Sequence, residues 1–157
     1  MRRTAFLAIP IAALSGCVTT DNRESFEDCY DLKIRATPVA HVPTIPVRPD
    51  EPNVIVFSWP WFIDFQIFHV IDGEYDNDEV TVHAIQHAQF IAQSRTWFLR
   101  KNSAGFYNLI RGAEASQMSL CGPNNKPVEP YIRLADGQTY GEVRRESEEY
   151  WKSDSDR

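Results

Sequence analysis

Glycine is scarce in this chain, with seven among 157 residues, and half of the ten prolines fall between Pro38 and Pro52. A collagen-like or low-complexity polymer is thereby excluded, and most of the chain is free to pack as one ordinary domain. Clustered positive charge is also missing. Sixteen Lys and Arg face 22 Asp and Glu, and the nearest basic groupings, Arg100-Lys101 and Arg144-Arg145, are too small for a phosphate backbone, so no nucleic-acid partner is expected. Nucleophile elbows, Walker glycine loops, paired catalytic carboxylates and close Cys-x-x-Cys pairs are all absent from the sequence, which leaves catalysis without a motif and implies no cofactor. There is no internal repeat.

The amino terminus does carry a pattern. Arg2 and Arg3 precede an apolar run over residues 5–14, and small residues follow at Ser15 and Gly16. The run is too short for a bilayer-spanning helix, so residues 1–16 read as a secretory signal. Leu14-Ser15-Gly16-Cys17 resembles the lipobox of bacterial lipoproteins. That resemblance implies cleavage before Cys17, a diacylglyceryl group on its sulfur and acylation of the new amino terminus, and hence attachment to a membrane through lipid. Val18 stands where an Asp would favour retention in the inner membrane, so the resemblance points to the periplasmic leaflet of the outer membrane. Two Arg and no acid leave with the leader, taking the formal charge from −6 to −8. Residues 17–28 are polar and read as a tether. With Cys17 acylated, Cys29 and Cys121 remain, and export to an oxidising compartment predicts a disulfide between them. Closing so long a loop restricts the unfolded chain by about 4–5 kcal/mol on the entropy model.

Beyond the tether, residues 29–141 read as the folded domain. Tyr30, Leu32 and Ile34 alternate with charged residues as a strand does. Pro43, Pro46, Pro49 and Pro52 then recur at every third position within an extended Pro-rich segment, residues 36–53, a spacing that suits either a polyproline ligand for an aromatic groove or a stiff connection over the domain. The stiff connection is favoured. Residues 54–71 are strongly apolar, but Pro60 and Asp64 oppose a membrane helix, and the odd positions from Trp61 to Ile71 predict one half-buried strand, with His69 on its apolar face. Asp72-Gly73 marks a turn into a strand from Val80. A second hairpin is predicted around Asn102-Ser103-Ala104-Gly105, a last short strand near Tyr131, Ile132 and Leu134, and a short terminal helix with a polar tail over residues 142–157.

The expected fold is mainly β: a small OB-like barrel, closed or partly open, of five or six strands, with a short carboxy-terminal helix. The run from residue 54 to 110 weakly resembles the netrin-like branch of that fold. The zinc-binding amino-terminal Cys of the metalloproteinase inhibitors that share the module cannot transfer, because Cys17 would be acylated.

Three features are candidates for chemistry or contact. His83 and His87 would share a zinc on a helix but lie about 13 Å apart along a strand, and the alternation here favours the strand. Asp72, Asp76 and Asp78 lack the Gly and Glu of a calcium loop and read as a solvated turn. Trp59-Pro60-Trp61 is the candidate contact surface, against the alternative that its indoles close one end of the barrel. The leading expectation is a non-catalytic, lipid-anchored, periplasm-facing module that binds an envelope protein or glycan. The alternatives are a metal-dependent envelope hydrolase using His83 and His87, and a purely structural lipoprotein.

Overall fold

The computed structural model describes residues 29–46, 57–110 and 113–155. The signal segment, Cys17 and its tether, Pro49 and Pro52 lie outside the described residues. In chain order the elements are β1 (Cys29–Tyr30), β2 (Leu32–Pro43), β3 (Trp59–Asp72), β4 (Glu79–Gln86), β5 (Arg95–Lys101), β6 (Tyr107–Ile110), a 3₁₀ turn (Ala113–Gln117), β7 (Ser119–Leu120) and α1 (Tyr140–Ser155).

Five strands close into a barrel in the order β2-β3-β4-β6-β5, with β5 returning to β2. All neighbours are antiparallel except β4 and β6, which run parallel and pair at Val82–Tyr107 and His83–Asn108. This closed, mixed barrel with a terminal helix is compatible with the OB-like expectation. A two-residue parallel pair, β1 with β7, lies beside it.

Strand β2 runs to Pro43, so residues 36–43 are barrel wall and not part of a separate connection. Pairing explains why proline is tolerated there: β5 covers β2 only from Leu32 to Ala36, and beyond that point β2 has one free edge. The β2–β3 register shifts at Val39, within this change. Shifts in the β2–β3 register also correct the expectation for β3. Its odd positions point inward from Trp61 to Phe65, but between Ile67 and His69 the register skips Phe68, the phase reverses, and Val70 packs toward the core. His69 is therefore exposed, not a core histidine.

The barrel interior is filled by Leu32, Ile34, Ala36, Trp61, Ile63, Phe65, Val80, Val82, Ala84, Leu99 and Leu109. Gly73, after β3, has φ +87°, and a Cβ there would collide with the carbonyl oxygen of Asp31, so only glycine fits. A second, smaller apolar cluster lies outside the barrel, where Val42, Phe62 and Ile132 meet Tyr140 and Val143 of α1. The helix has 16 residues and begins at Tyr140, two positions before the expected segment. Thr139 caps it: its hydroxyl accepts from the Glu142 N–H at 3.3 Å, and its own N–H donates to the Glu142 carboxylate at 2.9 Å. The segment from Tyr131 to Leu134 forms no strand. It is held instead as an irregular strap, because the Tyr131 N–H donates to the Asn108 side chain and the Tyr140 hydroxyl to the Ile132 carbonyl.

Candidate functional site

An open cleft of about 460 Å³ lies where β3, β4, the β5–β6 turn and α1 converge. Alternation puts Asp64 on the outer face of β3 and Thr81 opposite it on β4. Arg144, one turn into α1, reaches across and binds Asp64 with two parallel hydrogen bonds of 2.9 and 2.6 Å. Thr81 donates to the same carboxylate at 2.7 Å, and Glu148 holds the Arg144 Nε at 3.0 Å. Burial alone would push the Asp64 carboxyl up, but the hydrogen bonds from Arg144 and Thr81 outweigh it and hold the group below the ordinary carboxylate range. The Arg144 guanidinium is raised in turn, chiefly by Asp64. Arg144 is thus shared between two carboxylates, so it offers no free cation to an anionic ligand.

The rest of the wall is aromatic and hydroxylic. Tyr75 and Tyr107 meet edge to face with centroids 6.0 Å apart, and the Tyr75 hydroxyl donates to the Glu79 carbonyl. Burial, with Tyr75 and Asp31 nearby, raises the Tyr107 phenol above its ordinary value, so it remains a neutral donor. Phe106 and Gly105 close the cleft from the β5–β6 turn. That turn is fixed by Asn102, whose side-chain oxygen accepts from the N–H groups of Ala104 and Phe106 and whose amide donates to Asn108 at 2.9 Å. Asn108 in turn donates to the Glu129 carbonyl at 2.7 Å. Both Asn side chains are buried, and their satisfied network makes the turn a rigid edge of the cleft.

The residues singled out from sequence fall elsewhere. Cys29 and Cys121 form a disulfide with Cα atoms 5.0 Å apart, tying β1 to the residue after β7. Trp61 is buried and donates its indole N–H to the Gln86 carbonyl, and Trp59 stacks between Trp61 and Trp151 of α1, with centroids 5.8 and 6.5 Å away. With Pro60 half-buried between them, the triplet closes the barrel end against the helix, so Trp61 presents no surface to a partner. His83 lies in β4, as the alternation indicated, but is wholly buried, while His87 just beyond the strand is exposed. The two do not form one open metal site, and among the described residues no three His, Cys, Asp or Glu side chains cluster to hold a metal. Asp72 is committed to the fold, accepting from the Tyr30 hydroxyl at 2.7 Å.

Sequence reasoning missed the cleft because its charged pair joins residues 80 positions apart. The available signals were Asp64 on the polar face of an apolar strand and Asn102 at the start of a Gly-containing turn. Compared with family models, with curated proteins and with solved structures, the chain matches none.

Proposed function

We propose that this protein is a non-catalytic binding module of the bacterial envelope, anchored through an acylated Cys17 to the periplasmic leaflet of the outer membrane, and that its cleft takes a neutral glycan segment. The observation that carries the glycan reading is the wall itself, which pairs aromatic faces and phenol groups with an arginine already shared between two carboxylates. Such a surface suits sugar rings, which stack by their C–H faces and exchange hydrogen bonds with fixed polar groups, and it disfavours phosphate. OB barrels bind oligosaccharides on the corresponding strands and turn, an analogy of fold that raises the expectation without supplying function. The anchored reading rests on the lipobox pattern. The hydrolase alternative has no comparable support, since burial removes His83 from solvent.

Amide shifts on titration with neutral oligosaccharides prepared from envelope glycans test the cleft. Shifts confined to Glu79, Thr81, Gly105 and Tyr107, abolished in Tyr107→Ala, are the expected result; no shifts at millimolar sugar would sink the glycan assignment. Intact mass of the full chain beside Cys17→Ala tests the anchor, with the added lipid mass and cleavage before residue 17 expected in the wild type and both absent from the variant.

A further inference from the structure

Among the described residues, His83 is a wholly buried side chain whose polar atoms, the two ring nitrogens, both lack a hydrogen-bond partner. The ring sits in an aromatic box drawn from three elements: Phe62 of β3 edge-on at 5.4 Å, Phe106 of the β5–β6 turn stacked at 4.9 Å, and Tyr140 of α1 at 5.0 Å. A leucine or phenylalanine would fill such a box with no unsatisfied polar atoms, so an imidazole here carries a cost that packing does not require. The box also lies at the seam between barrel and helix. Tyr140 begins α1, and Arg144 one turn later lies 6.0 Å from the other neighbour, Phe62.

We propose that α1 is an acid-released latch on the barrel, with His83 as its trigger. A protonated imidazole in this box would hold a charge with both N–H groups unpaired, and the route that rehydrates it is withdrawal of Tyr140 and the helix behind it, since β3, β4 and the turn are fixed by the barrel ladder. Burial is the sole cause acting on the ring, holding it neutral down to about pH 4, whereas a histidine freed into water protonates near 6.5. Opening is thus favoured progressively as pH falls between those values. Among the groups facing the seam, Asp64 is held below the ordinary carboxylate range, its burial outweighed by the hydrogen bonds from Arg144 and Thr81, while burial raises the Tyr140 and Tyr107 phenols and keeps them neutral. Glu142, in the first turn of α1, is lowered by its hydrogen bonds with Thr139, and Glu148 pairs with the Arg144 Nε. His41 on β2 is also lowered by burial, with Asp64 opposing, and serves as the comparison group. Because Arg144 is one wall of the cleft, release also dismantles the cleft, but the latch does not depend on what the cleft binds.

Hydrogen exchange of the full folded domain, corrected for the intrinsic pH dependence of exchange, reads the latch directly. Between pH 7 and 4.5 the opening constant of α1 amides is expected to rise by roughly 10- to 100-fold, while β3 and β4 amides keep their protection. His83→Phe should abolish the rise, and His41→Gln should leave it in place. If Phe at this site prevents folding, His83→Gln removes the same titration. If neither variant folds, the wild-type His83 ring resonance must titrate together with α1 opening. An unchanged rise in a His83 variant, no rise in the wild type, or equal loss of protection in β3 and α1 each overturns the proposal.

Discussion

The barrel interior and the seam beneath α1 are built from the same strands by different means. Inside, eleven apolar side chains with at most 5% exposure pack together without a charge among them. Outside, Phe62, Val42 and Ile132 contribute only a small apolar patch, and the helix is held as well by an ion pair, an indole stack and a buried unbonded histidine. Apolar side chains carry no charge to titrate or to screen, whereas ion pairs and buried titratable groups respond to both. Acid and salt should therefore affect the seam before the interior.

Removal of the staple should be the largest effect, because it acts through the unfolded chain and lowers both regions together. The Cys29→Ala/Cys121→Ala double variant is expected to lose about 4–5 kcal/mol in urea titration, with α1 and barrel amides weakened alike. Phe65→Ala opens a cavity in the interior and should cost about 3–5 kcal/mol, again globally. Lowering the pH from 6.5 to 4 should favour opening of the seam alone by about 2–3 kcal/mol. The His83 ring is held below its ordinary value, so its neutral form supports the closed state above pH 6.5, and that support is lost as pH falls. Exchange rates of α1 against β3 check the sign. Asp64→Asn leaves Arg144 without its bidentate partner at a partly exposed site and should cost about 1–2 kcal/mol, confined to α1 and diminished by salt. Thr139→Ala removes the helix cap and should cost about 1 kcal/mol, visible as fraying of the first turn in the same exchange data.

Much of the barrel was legible because strands with one buried face write a period of two. Leu32 with Ile34, Ile63 with Phe65, and Val80 with Val82 declare their inward side directly. The turn at Gly105 was also legible, since its chemistry is local. What failed was whatever depended on a neighbour. His69 was misassigned because the phase of β3 changes at Phe68, where β2 and β3 slip register. Residues 36–43 were assigned to a connection because four nearby prolines obscure a strand that is an edge on one side only. Tyr131, Ile132 and Leu134 suggested a strand, but Asn108 and Tyr140 tie that segment down without one.

The sequence by itself determined the mainly β class, much of the strand pattern around the core and the pairing of Cys29 with Cys121, because each follows from local order or from elimination among few residues; the proposed anchor at Cys17 rests on the sequence pattern alone. Tertiary structure alone decided the cleft and the latch. Asp64 and Arg144 are 80 residues apart, and His83 is enclosed by rings from positions 62, 106 and 140. Their chemistry arises from desolvation and from partners, and both are properties of where the chain returns in space, not of the order in which its residues are joined.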